Sequence, residues 1–182
     1  MYDLFKNETD TMNIIYYLSQ TILKEFLTKD IIQKINLIHF QINKSIERFF
    51  PKVWYNWKKN GLNSEIILSS FVISLFSCCE NDSKQTVLEF WDVILVEGWF
   101  GFIKCILFII HYYYDKLISI DMSDSLRFFS DLKGPLGFLQ VISSFKQFNR
   151  FFDLTEEYLT ILERIYKTIN RNDELLQLNN KD

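Results

Sequence analysis

The stretch from Phe90 to Ile120 constrains the fold of this chain more than any other segment. From Gly98 to Tyr114 it contains no acidic residue, and it is interrupted only by Lys104 near the middle and His111 near the end. A membrane-spanning helix needs about 20 mostly apolar residues, and a central lysine costs about 2.5–3.5 kcal/mol on insertion. The run is shorter and carries that lysine. It therefore predicts a helix buried among other helices, with a membrane-embedded helix as the less favoured alternative.

Two carboxylates in the same stretch raise the question of a catalytic site. Asp92 and Glu97 are five residues apart, whereas helix neighbours on one face are three or four apart. The spacing thus argues against a paired-carboxylate site. We expect Trp91 to be buried, Asp92 to accept hydrogen bonds near it, and Glu97 to lie at a helix end before Gly98, since buried carboxylates need partners.

The first third of the chain predicts successive amphipathic helices. Apolar residues recur at intervals of three and four after Asp10, which is a suitable N-cap, and again from Ile35 to Phe49. Pro51 should end the second helix and open a short third one. Asn60-Gly61 should end that helix in the left-handed cap position.

The remaining segments follow the same pattern. Ser64 is a suitable N-cap for a helix that reaches Phe76. Gly98 should separate the helix after that one from the long apolar helix that follows. Later helices are predicted after Asp121 or Ser123, from Leu136 to Phe148 beyond a Gly-Pro turn, and from Thr155 to Ile169. No strand alternation persists. The prediction is one all-α domain of about seven to eight helices over residues 10–169, with an extension at 1–9 and a polar tail at 170–182.

Charge, cysteines and histidines exclude several functions. The net charge of -3 gives no basic face for nucleic acid. Cys78, Cys79 and Cys105 form neither a disulfide framework nor a zinc pattern with His39 or His111. No phosphate loop, nucleophile elbow or zinc-protease helix is present. We therefore predict no catalytic residue, cofactor or metal. The start of the chain lacks a secretory signal, which predicts a cytoplasmic location.

Three segments resemble one family in order and spacing. The first, ERFFPKVWYNWKKNGLNSEIILSSFVISLF, holds Pro51 and Gly61, and the second, FWDVILVEGW, has a Trp-Asp pair and a Glu-Gly pair before a long apolar helix. The third, FFDLTEEYLTILERIYKTI, resembles a closing helix with a Thr-capped start. Together they resemble the carboxy-terminal half of the TBC domain, the all-helical fold of Rab GTPase-activating proteins, over about Asp10 to Ile169. The motif residues are Pro51, Gly61, Trp91, Asp92, Glu97 and Gly98.

The resemblance implies GTPase-activating activity, but the residues essential for that activity in the family have no match in this sequence. Active TBC proteins supply an arginine finger from Ile-x-x-Asp-x-x-Arg and a glutamine finger from Tyr-x-Gln, in the half expected before this sequence. Asp124 and Arg127 have the right mutual spacing, but residue 121 is Asp rather than Ile, and Tyr17 and Gln20 are one residue too far apart. An arginine finger contributes about 10³–10⁵ in rate. The resemblance therefore implies a protein without GTPase-activating activity.

These observations predict a TBC-like, non-catalytic interaction module or structural subunit of a larger assembly. Its expected partners are protein subunits and a Rab-type small GTPase, at a cytoplasmic site peripheral to membranes or the cytoskeleton. A fragment of an active Rab GTPase-activating protein in vesicle trafficking is the alternative. An apolar face at Ile15, Ile22 and Phe26 is expected to be left uncovered and to require a partner.

Overall fold

A computed structural model describes residues 7–24, 30–79, 84–132 and 154–179, and the side chains within them except those of residues 84–86 and 173–179. These ranges contain nine helices and no strand, which confirms the all-α prediction. Two of the helices are single turns. The helices are α1 (Glu8–Gln20), α2 (Ile31–Phe49), α3 (Pro51–Lys59), α4 (Ser64–Ile67), α5 (Ser69–Ser74), α6 (Lys84–Tyr112), α7 (Tyr114–Leu117), α8 (Met122–Asp131) and α9 (Glu156–Asn179).

Helix α1 starts earlier than its sequence pattern indicated. Asn7, rather than Asp10, is the N-cap, because its side-chain oxygen accepts a hydrogen bond from the Thr9 amide at 3.0 Å. The apolar face predicted here is also divided. Ile22 is buried, whereas Ile15 is 45% exposed, and Phe26 lies outside the described residues. The prediction that this whole face is uncovered was therefore wrong for Ile22.

The boundary between α2 and α3 follows the sequence prediction. Helix α2 ends at Phe49, and Pro51 occupies the first turn of α3, where its missing amide hydrogen costs no helical hydrogen bond. At the other end, Gly61 has φ +68°, and Leu62 donates its amide hydrogen to the Trp57 carbonyl at 2.7 Å. This is the Schellman arrangement, which satisfies the last carbonyls of a helix and favours glycine at the left-handed position.

The next helical segment differs from the prediction in its cap and its length. Asn63 caps α4 by accepting from the Ile66 amide at 3.1 Å, so the Ser64 cap was predicted one residue too late. Ser64 is instead buried. The helix expected to reach Phe76 is split into α4 and α5 and ends at Ser74, where Leu75 and Phe76 adopt positive φ. Both of those side chains are buried in the core.

Helix α6 forms the centre of the core and contains the predicted break. Gly98 has φ +61° and ψ -138°, so two helical segments meet there at a kink. From Phe102 to Ile110, every residue except Lys104 is buried. The segment Val87–Tyr112 is long and apolar enough to cross a membrane, but 56% of its most apolar window is buried inside the domain. The core helix of a globular domain has these same properties.

The closing helix α9 packs antiparallel to α2. Thr155 accepts a hydrogen bond from the Tyr158 amide at 3.1 Å, as predicted for a cap, and Gln41 donates from α2 to the Leu159 carbonyl at 3.0 Å. The helix continues to Asn179, beyond the predicted end at Ile169. Asp121 caps α8, as one of the two predicted choices. The turn predicted at Gly134-Pro135 and the helix predicted from Leu136 to Phe148 lie outside the described residues.

Candidate functional site

The tryptophan–aspartate pair of the sequence motif does not form the buried contact that we predicted. Trp91 is only partly buried, and Asp92 is exposed. In the described part of the chain no hydrogen bond reaches the Asp92 carboxylate. The physical reason is the face of α6 on which they lie. Phe90 and Ile94 point into the core and are 1% and 0% exposed, which turns the two residues after Phe90 towards the surface.

The glutamate–glycine pair of the motif does organise its surroundings. Lys104 donates hydrogen bonds to both Glu97 carboxylate oxygens, at 3.1 and 2.9 Å. The two residues are seven apart in sequence and lie on opposite sides of Gly98, so the ion pair spans the kink. The Lys104 and Glu97 side chains are 16% and 30% exposed, respectively. A charged pair that is partly shielded from water is stronger than a fully exposed one, so this pair stabilises the bend.

Gly101 is a second glycine required at the kink, and the sequence analysis missed it. A Cβ atom at this position would lie 2.8 Å from the Val93 carbonyl oxygen and 3.0 Å from the Glu97 Cβ. Because Val93 belongs to the segment before Gly98, the two halves of α6 approach each other closely at Gly101. The spacing Gly-x-x-Gly after an apolar helix was the available signal.

Two side-chain hydrogen bonds attach α1 to this kinked region. The Trp99 indole donates to the Ile22 carbonyl at 3.1 Å, and the Tyr17 hydroxyl donates to the Leu95 carbonyl at 3.3 Å. Tyr17 belongs to α1, whereas Ile22 lies in the turn just after it. Residues from both sides of Gly98 therefore hold α1 and the turn that follows it. The motif residues Glu97 and Gly98 thus shape the kink to which this part of the chain is attached.

A buried polar network joins α2 to α4. His39 is 1% exposed, and its Nδ1 lies 3.0 Å from the Ser64 hydroxyl. Asn43 connects the same elements, since it donates to both Glu65 carboxylate oxygens and accepts from the Ser64 amide at 3.0 Å. Burial lowers the pKa of His39 below its usual value, and the nearby Glu65 carboxylate only partly opposes that shift. The folded protein therefore favours neutral His39.

The network makes folding stability pH-dependent. Unfolded His39 takes up a proton near pH 6.5, whereas the folded state does so at a lower pH. Protonation therefore favours unfolding, and the contribution of neutral His39 is complete above about pH 6.5 and is lost as pH falls towards the lowered pKa. We expect the free energy of unfolding, measured by urea titration, to fall between about pH 7.5 and 5.5, where ordinary carboxyl groups stay ionised.

Replacing each histidine in turn distinguishes the contribution of His39 to the pH dependence of stability from the contributions of other groups. His39→Gln should remove most of the decrease in unfolding free energy between the two pH values, whatever its effect on absolute stability. His111→Gln, at an exposed position, is the matched histidine control. The assignment to His39 would be wrong if the two variants showed the same pH dependence.

The finger-like residues identified in the sequence have no organised surroundings. The Arg127 side chain is 81% exposed on α8, and its nearest carboxylate is that of Asp131 at 3.8 Å. Exposed pairs of this kind contribute little. Gln20 is exposed at the last residue of α1. Neither residue is held in place by other side chains in the described structure, as a preorganised catalytic group would be.

Thiol and metal chemistry find little support in the described residues. Burial raises the pKa of the Cys105 thiol well above its usual value, and this opposes formation of the reactive thiolate. Among the side chains described, no group of three histidine, cysteine, aspartate or glutamate residues is placed to hold a metal ion.

Comparison with known families now identifies the class of the protein. Residues 2–118 match the Rab-GTPase-TBC domain, which is more than half of the chain. The chain therefore belongs to the RabGAP-TBC family, in agreement with its all-α fold. Among curated proteins, none matches the sequence. The family connects the chain to regulation of Rab GTPases.

Proposed function

We propose that this chain acts as a non-catalytic TBC-fold module, which binds protein partners as an interaction or structural subunit of a larger assembly. A Rab-type small GTPase is one such partner, at a cytoplasmic site peripheral to membranes or the cytoskeleton. The observation that carries the proposal is the absence of either finger motif from residues 1–182 of a chain that belongs to a GTPase-activating family.

The position of Arg127 supports a non-catalytic role. It lies beyond residues 2–118, which are the part that matches the family, and its guanidinium is open to solvent. A residue in this position cannot substitute for a finger whose place in the family is elsewhere. Because an arginine finger contributes about 10³–10⁵ in rate, a protein without one should not measurably accelerate GTP hydrolysis.

The surface of α1 supports a binding role. Met12, Ile15 and Tyr16 are 60%, 45% and 68% exposed, and their spacing of three and four places them on one face of the helix. Large exposed apolar side chains grouped in this way mark interaction sites, and methionine and tyrosine are enriched in interfaces. We name this set the α1 face. It is the surface through which the proposed partner would bind.

A fragment of an active Rab GTPase-activating protein in vesicle trafficking is the second candidate. The family match itself favours it, since fingers supplied by further sequence would complete the activity. The two candidates differ in the native protein, because only the second has further sequence that carries both fingers. The intact mass of the native protein therefore distinguishes them.

Single-turnover GTP hydrolysis by a panel of Rab GTPases tests the proposal. We expect the purified chain to leave each rate unchanged within about twofold, because no finger is present to stabilise the transition state. Arg127→Ala serves as the internal control. A stimulation of about a hundredfold or more, whether or not it requires Arg127, would contradict a non-catalytic role.

Binding through the α1 face requires its own test. Met12→Asp and Tyr16→Asp should release a partner that copurifies from native cells, because each places a charge in an apolar contact. Asn13→Asp is the matched control, since Asn13 is exposed on the same helix. All three variants should melt like the parent chain. Retention of the partner by both charged variants would exclude this face.

A further inference from the structure

A cleft lies beside α3, away from the α1 face. It has a volume of about 460 Å³ and is formed by one side of α3 and the segment that follows α7. No acidic side chain is among the described residues that line it. The lining residues are Pro51, Lys52, Tyr55, Asn56, Lys59 and Ile118.

The charge of this cleft differs from that of the chain as a whole. Helix α3 carries Lys52, Lys58 and Lys59 and no acidic residue, within a protein of net charge -3. Lys58 lies 4.7 Å from the centre of the Trp54 ring, in a cation–π contact. Lys52 and Lys59 are exposed, and neither has an ion-pair partner in the described part of the chain. The cleft thus has two cationic groups available to an anionic ligand.

The distance between the two lysines restricts the kind of anion that fits. Seven residues along a helix with a rise of about 1.5 Å per residue separate their Cα atoms by about 10 Å. The surface between them is mainly apolar, with Ile118 on one side and the Tyr55 ring, which is 72% exposed, on the other. Because lysine side chains are long and flexible, a ligand complementary to this surface carries two negative groups separated by on the order of 10 Å, with apolar atoms between them.

The shape of the cleft is fixed by one side chain. Asn56 donates its amide hydrogens to the Leu117 carbonyl at 2.9 Å and the Ile120 carbonyl at 2.8 Å. These bonds hold the segment containing Ile118 against α3. A cleft formed in advance of binding reduces the ordering cost that a ligand must overcome. The site therefore does not depend on closure of a loop.

We propose that this cleft binds an acidic segment of a partner protein in an extended conformation. Side chains of an extended chain alternate between two faces, and each residue advances about 3.3 Å. Two carboxylates four residues apart therefore lie on the same face about 13 Å apart, which is within reach of two flexible lysine side chains. Each carboxylate would pair with Lys52 or Lys59, and the apolar residues between them would contact Tyr55 and Ile118.

The inference adds a second surface to the proposed interaction module, and it rests on that module only for its biological use. The two proposals fail separately, because the cleft and the α1 face lie on different helices. Charge variants in the cleft test acidic-segment binding alone. Loss of the copurifying partner from the α1 face variants tests the module.

Fluorescence polarisation with a labelled, acetylated and amidated peptide of sequence EELFEE tests the cleft. We expect saturable binding by the full chain and at least about fivefold weaker binding of the peptide QQLFQQ, because the carboxylates are then absent. The double variant Lys52→Glu/Lys59→Glu should bind EELFEE at least about tenfold more weakly than the parent chain, since both attractions become repulsions. Affinity for EELFEE should also fall as salt concentration rises.

The matched control carries the same charge change at another place. Arg164→Glu/Arg171→Glu alters two exposed residues of α9 and should bind EELFEE like the parent chain. Equal losses of EELFEE affinity in the two double variants would show that the effect depends only on net charge. That result would overturn the proposed site. The proposal would also be overturned by inorganic pyrophosphate or phosphatidylserine vesicles binding through Lys52 and Lys59 while EELFEE does not.

Discussion

Replacing Trp57 with alanine is expected to lower the free energy of unfolding by about 3–5 kcal/mol, as measured by urea titration. Trp57 is fully buried, and its ring meets Phe129 edge-on at a centroid distance of 6.0 Å. Truncation would leave a cavity where α3 meets α8 and remove the ring contact with Phe129. The total free energy of unfolding of a small domain is about 5–15 kcal/mol, so this single change should remove a large part of the stability.

Two further variants separate ring volume from polar contacts. The Trp57 indole nitrogen has no hydrogen-bond partner among the described residues. Trp57→Phe loses no hydrogen bond, and it should therefore cost much less than alanine. Trp91→Ala should also cost less than Trp57→Ala, because Trp91 is only partly buried. A larger loss from Trp91→Ala than from Trp57→Ala would contradict the packing described for α6.

Replacing Gly98 with alanine is expected to destabilise the protein by about 1–3 kcal/mol, which is the usual cost of holding a non-glycine residue in such a conformation. An added Cβ would meet no atom within 4 Å, so the cost comes from the backbone angles of φ +61° and ψ -138° alone. The variant can relieve the strain only by reshaping the kink. That change would disturb the Glu97–Lys104 ion pair and the bond from Trp99 to the Ile22 carbonyl.

Hydrogen exchange shows whether the kink holds α1 as we infer. In Gly98→Ala, amide protection should fall within α1 as well as around the kink, because α1 is attached through Trp99 and Tyr17. Val96→Ala is the matched control, since Val96 is 85% exposed in the same turn, and it should change stability by less than about 0.5 kcal/mol. Unchanged stability in Gly98→Ala would show that the strained conformation is not required.

The kink at Gly98 should also affect partner binding, because it lies where α6 contacts the α1 region. The α1 face is presented by a helix whose attachment depends on both sides of Gly98. A partner bound to Met12 and Tyr16 would therefore stabilise the kink. Conversely, strain at Gly98 would weaken binding of the partner. The Gly98→Ala variant should bind such a partner less tightly than Val96→Ala does, even though Gly98 lies outside the α1 face.

Local signals in the sequence determined the helices and several of their ends. The all-α class follows from apolar spacing, and the Pro51 boundary, the Gly61 cap, the Gly98 break and the Thr155 cap were each predicted correctly. Asp121 was one of two caps predicted for α8. These features depend on residues within one turn of each other, so the sequence itself contains the required information. The missing finger motifs are also a property of the sequence alone.

Caps with several adjacent candidates were predicted less well. Asn7 and Asn63 cap their helices, although Asp10 and Ser64 were equally suitable by residue type. In the second case Ser64 is turned inward by its contact with His39, which comes from a distant part of the sequence. Tertiary contacts thus selected between caps that local chemistry could not distinguish.

Only the tertiary structure decided which apolar and charged side chains act together. Trp57 and Trp91 look alike in an apolar helical pattern, but packing buries the first completely and the second only partly. Likewise, Lys52 and Lys59 form a cleft because Asn56 holds Ile118 opposite them. The sequence by itself determined that helices form and where most of them bend or end, since those choices are local. Burial and clefts depend on pairing between distant helices, and that pairing exists only in the folded chain.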